Sequence, residues 1–119
     1  MAALEDAIVS LRQALVRPRR QQGWGWLVRQ RMSAVKDALL VETQGPAEAW
    51  LTARAGSVRR DRDALLTRLV QLGPVVLEST DPELVLSRLQ RILLDLEHHR
   101  QRVSDLVYDS VALELGGSE

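Results

Sequence analysis

Residues 85–113 read VLSRLQRILLDLEHHRQRVSDLVYDSVAL. Within them Val85, Leu89, Ile92, Leu96, His99, Val103, Leu106, Ser110 and Leu113 recur at steps of four and three. Side chains so spaced share one face of an α-helix, as in the seam of a helical bundle. The spacing therefore aims the His99 imidazole at an apolar interior, where it needs a hydrogen-bond partner, a metal or a proton. This makes His99 the first candidate for chemistry.

Upstream, Thr80-Asp81-Pro82-Glu83 supplies two start signals. Thr80 and Glu83 stand at capping-box spacing, and Asp81 before Pro82 is a second possible cap. Gly116-Gly117 closes the run, so the spacing predicts a helix over about 81–115. At 1.5 Å per residue, ~35 residues reach roughly 50 Å. Three further helices precede it. Leu4, Ala7, Ile8, Leu11, Ala14 and Leu15 mark one over about 3–16, halted by Pro18. Val28, Met32, Val35 and Leu39 mark another over about 24–43. Leu51, Ala55, Val58, Arg62, Leu65, Leu69 and Leu72 mark a third over about 46–72. Gly45-Pro46 and Gly73-Pro74 read as the stops after the second and third, Gly suiting a left-handed cap and Pro the start of the next segment.

The 119 residues suffice for one core. Aromatics are three Trp, one Tyr and no Phe, so Leu, Val and Ala must fill it, which suits helices. No cysteine is present, which excludes disulfides and thiolate metal sites. Apolar runs are short, and the first residues lack a basic start and apolar stretch. We therefore expect no membrane span, no signal peptide and a cytoplasmic protein. Net charge is zero, yet residues 1–62 hold 11 Lys/Arg against 6 Asp/Glu and residues 63–119 hold 5 against 10. Pairing between neighbouring helices is the plain reading of that split. These features predict an all-α fold: an up-down antiparallel four-helix bundle of three long helices plus a shorter N-terminal one, as a single domain over residues 1–119.

Two residues break the apolar seams, His99 and Arg62. A seam Arg commonly snorkels or pairs with an acid, here Glu42 or Asp95. A seam His is commonly a hydrogen-bonded core residue. His98 and His99 diverge by about 100° on a helix and make a poor metal pair. Asp95 gives His99 its one acceptable i, i+4 carboxylate. Phosphotransfer needs an exposed imidazole followed by Lys and Gly, whereas Arg100, Gln101 and Arg102 follow. No serine sits in a nucleophile-elbow context, and no Gly-rich phosphate loop occurs. Hence no catalytic residue and no cofactor are expected. Trp24, Trp26 and Trp50 lie near helix ends; two of them stand two residues apart and cannot both face inward, which makes the three candidate interface residues. Arg17, Arg19 and Arg20 with Trp24 could bind nucleic acid, a lesser reading beside a solvated linker.

The run His99-Arg100-Gln101-Arg102-Val103-Ser104-Asp105-Leu106-Val107-Tyr108-Asp109, ending in Leu115-Gly116-Gly117, resembles the tail of actinobacterial hemerythrin-like (HHE-type) proteins. The likeness covers about the last twenty residues, and elsewhere only the layout of helices. It implies a four-helix bundle descended from one with a di-iron or oxygen-responsive centre. His99 alone falls at a ligand position, while the other helices offer Leu39 and Arg62, and an arginine there repels a cation. The expectation is a degenerate member with the fold kept and the metal site lost. Its function is then a non-catalytic interaction or regulatory module, homodimeric or bound to a protein partner. The alternative is a metal-binding or oxygen/redox sensor in which Asp95, Asp105 and Tyr108 assist His99.

Overall fold

The computed structural model describes residues 2–19, 21–41 and 53–116, with side chains for 3–19, 21–41 and 56–108. Four helices follow in order: α1 (Ala2–Leu15), α2 (Trp24–Val41), α3 (Ala53–Glu78) and α4 (Pro82–Gly116). There is no strand among the described residues. α1 packs on α2 and α4, α2 on α3, and α3 on α4, which closes the ring of an up-down four-helix bundle. The molecule is 60 Å long and about 20 Å across. The expected stop and start at Gly45-Pro46, together with Glu42, Trp50 and Leu51, lie outside the described residues, as do the side chains of Ala55, Ser110 and Leu113.

The α1–α2 turn is held from both sides. Arg17 N–H bonds Ala14 O, Gln21 N–H bonds Pro18 O, and Gly23 takes the left-handed φ of +83° that favours glycine. Trp24 is buried, and its indole Nε1 donates to Ala14 O at 3.1 Å. One side chain thus satisfies a carbonyl that the end of α1 would leave open.

The end of α3 corrects the sequence reading. Gly73-Pro74 does not stop the helix, which runs on to Glu78 with Pro74 inside it. A mid-helix Pro removes one hydrogen bond and crowds the preceding turn, at a cost of about 3 kcal/mol. Here Pro74 is on the water side, as is Val70, whose carbonyl loses its amide partner. The next turn buries Val76 to 7% exposure and packs Val75 on the core, which offsets the cost at about 1.5–3 kcal/mol per fully buried side chain. The Arg29 guanidinium of α2 lies over Gly73.

Of the two start signals for α4, Asp81 is the one used. Its Oδ1 accepts from Leu84 N–H at 3.2 Å, and its own N–H donates to Ser79 Oγ at 3.1 Å. Pro82 then opens the helix, where its missing N–H is harmless.

The core joins all four helices. Leu4, Ile8 and Leu11 of α1 meet Val28, Met32, Val35 and Leu39 of α2, Leu65, Leu69, Leu72 and Val76 of α3, and Val85, Leu89, Ile92, Leu93 and Leu96 of α4. A separate small cluster of Val58, Val103 and Leu106 lies farther along the α3–α4 hairpin. Two ion pairs bind the basic first half to the acidic second: Arg19–Glu83 at 2.8 Å and Arg12–Glu97 at 3.4 Å. Replacement of Asp81 by Ala is expected to cost about 1 kcal/mol, the usual worth of an N-cap. A thermal melt unchanged by D81A would remove the capping role.

Candidate functional site

Between the four-helix core and the smaller hairpin cluster lies one polar layer. Bonds between α3 and α4, Arg68 to Asp95 and Asp61 to His99, show the register of the hairpin. In that register Val76 faces Val85, Leu72 faces Leu89, Leu69 faces Ile92 and Leu65 faces Leu96. The next facing pair is Arg62 and His99, and after it Val58 and Val103. Arg62 and His99 are the buried polar side chains among the described residues, at 9% and 0% exposure.

His99 Nδ1 lies 3.0 Å from Asp61 Oδ2. The same oxygen lies 3.4 Å from Arg102 Nη1, and Arg102 Nη2 donates to Ser57 Oγ at 2.9 Å. Asp61 stands one residue off the α3 seam, at the edge facing α4, so its carboxylate reaches the buried ring while partly in water. Arg62 turns the other way: Nε and Nη2 donate to Asp63 Oδ1 at 3.2 and 3.0 Å. Its Nη1 is buried without a hydrogen bond. Neither Glu42 nor Asp95 is shown as its partner; Asp95 accepts from Arg68 at 2.7 Å, and Glu42 lies outside the described residues.

The residues proposed to assist His99 are not brought to it. Asp95 belongs to Arg68, Asp105 accepts from Gln101 Nε2 at 2.9 Å on the surface, and Tyr108 is 73% exposed. Among the described residues the carboxylate at His99 is Asp61, from another helix. Among the described residues no three His, Cys, Asp or Glu side chains converge as a metal site would require. A di-iron centre also fails to fit the layer. Among the described residues the layer supplies one imidazole, a carboxylate already paired with Arg102, and the Arg62 guanidinium, whose charge opposes a cation.

A carboxylate on one imidazole nitrogen orients the ring, as it does in metal sites and hydrolases. Here the ring is closed to solvent, so a substrate atom reaches it only if the helices part. The outer groove beside it, about 570 Å³, is lined by Asp61, Arg68, Asp95, His98, Gln101 and Arg102. Its charged side chains are largely taken up in the pairs already described.

The tryptophans divide. Trp24 is a buried strut between α1 and α2, not an exposed interface residue: it is 8% exposed and its indole N–H is bonded to Ala14 O. Trp26 is 69% exposed. It shares a hollow of about 310 Å³ with Leu77, at the point where Gly25 brings α2 close to α3. Trp50 lies outside the described residues. The basic set loses members as well: Arg19 is paired with Glu83 and Trp24 cannot stack on a base, while Arg17 is exposed and Arg20 lies outside the described residues.

No protein-family model, curated protein or solved structure matches the chain. Asp61→Ala is expected to lower the unfolding free energy by about 1–3 kcal/mol, since it strips a buried ring of a partner. Asp95→Ala, which breaks only the half-exposed pair with Arg68, should cost less than about 1 kcal/mol. Urea titrations read both, and equal losses would refute the special place of Asp61.

Proposed function

We propose that this chain is a non-catalytic helical interaction or regulatory module that works as a homodimer. The observation that carries this is the exposed apolar surface where α2 meets the end of α3. Trp26 is 69% exposed beside Leu77, and Val70, one heptad before Leu77 on the same face of α3, is 58% exposed. Large aromatic and aliphatic side chains grouped in the open are typical of docking surfaces. The His99 imidazole, by contrast, is turned inward and held by Asp61. On this reading kinship with hemerythrin-like proteins would rest on the four-helix layout, with the ligand layer replaced by Arg62, Asp61 and His99. Protein purified without chelator should then carry no stoichiometric iron, zinc or manganese, and a bound equivalent would favour the sensor reading instead.

Light scattering on a sizing column should return twice the chain mass at high micromolar concentration. Trp26→Ser with Leu77→Ser should return the monomer mass while changing stability by no more than about 1 kcal/mol, as solvent-side substitutions do. A parent protein that stays monomeric, or a dimer indifferent to both changes, would count against this surface.

A further inference from the structure

The two facing stripes of the α3–α4 hairpin are nearly uniform. Val58, Leu65, Leu69, Leu72 and Val76 face Val103, Leu96, Ile92, Leu89 and Val85, and both series repeat with the seven-residue period of a seam. Sliding α4 by one heptad along α3, about 10 Å, brings aliphatic side chains together again. Leu69 would then face Val85, Leu65 would face Leu89, and Val58 would face Leu96. This slid hairpin needs a longer connection, with α3 ending near Leu72. The sequence offers such an end at Gly73-Pro74. The chain thus offers aliphatic matches to two hairpins, the slid one giving up the facing pairs of Leu72 and Val76.

The polar layer separates them. In the observed register Arg62 and His99 share one layer, and Asp61 reaches the ring at 3.0 Å. In the slid register Arg62 faces Ile92, and His99 moves away from both Arg62 and Asp61. His99 would then lose the bond to Asp61, while Arg62, whose bonds run to Asp63 on its own helix, would stand against aliphatic carbon. We propose that the Arg62, His99 and Asp61 layer is a register lock: it selects the hairpin in which α3 continues through Gly73-Pro74. The single polar layer of a coiled coil specifies register by the same physics. The lock has a consequence for the surface. Leu77 reaches Gly25 and Trp26 only because α3 is helical to Glu78. The layer therefore decides, from about 20 Å away along the bundle, whether the Trp26–Leu77 surface is built. The lock does not depend on what that surface binds, and its test reads register alone.

The chain has no cysteine, so introduced pairs report without interference. Arg68→Cys with Asp95→Cys replaces two side chains now in contact on the outer groove and reports the observed register. Arg68→Cys with Arg88→Cys places the second thiol one heptad earlier on α4 and reports the slid one. Disulfide formation in the full chain with oxidised glutathione, scored by mobility on a non-reducing gel, reads both. In the parent background the first pair should close and the second stay open. With Arg62→Leu and His99→Leu added, the second pair should close in a substantial share of molecules that remain helical by circular dichroism. Adding Pro74→Ala, which restores the missing N–H and favours the long α3, should reopen it. A doubly apolar variant that closes only the first pair would overturn the lock. One that loses its helicity would also overturn it, since the layer would then supply stability and not choice.

Discussion

The hydrogen bond from the buried His99 ring to Asp61 ties together the parts of this bundle that aliphatic packing leaves loose. It crosses from α4 to α3 at the level where the four-helix core ends, and Arg102 holds the same carboxylate from outside. A neutral core could contact itself in more than one way; a ring that must find one carboxylate cannot. The layer is not fully satisfied, because Arg62 Nη1 is buried without an acceptor. A buried donor left unmet costs about 1–3 kcal/mol, so this layer is retained against a local penalty.

Much of the architecture is legible in the sequence because it follows from local rules. The steps of four and three in α4, the cap at Asp81-Pro82 and the break at Pro18 each act within a few residues, and the end of α1 and the starts of α2 and α4 fall within one position of expectation. The end of α3 is not legible in this way. Gly73-Pro74 is a stop by local chemistry, and it is overruled by burial of Val76, which only the assembled bundle supplies. Asp61 was missed for a related reason. Spacing rules within one helix point from His99 to Asp95, whereas the true partner is set by the register between two helices. Pairing Arg62 with His99 as one interrupted layer would have brought Asp61 into view.

The Trp-Gly-Trp stretch shows how two like residues acquire different duties. Trp24 and Trp26 are separated by about 200° around α2, so only one can face the core. Trp24 seals the end of α1 and carries its polar atom to a carbonyl, while Trp26 remains in water beside Leu77. At the glycine between them α2 and α3 lie close, a Cβ there meeting Leu77 Cδ2 at 3.4 Å, an ordinary contact distance. The same close approach that exposes Trp26 holds Leu77 next to it.

The ring of helix contacts carries a kinetic consequence. Every helix packs on its neighbour in the chain, and only the α1–α4 contact joins the two ends of the sequence. Contacts that are local in sequence cost little loop entropy to form, and bundles built from them fold fast. Each hairpin can assemble on its own, α1–α2 around Trp24 and α3–α4 around its stripe. The closing event is the meeting of α1 with α4, drawn together by Arg12 with Glu97 and Arg19 with Glu83. The uneven charge of the two halves of the chain then acts on the rate at which the ring closes more than on how tightly it stays closed, because such half-exposed pairs attract over distance but contribute little once formed.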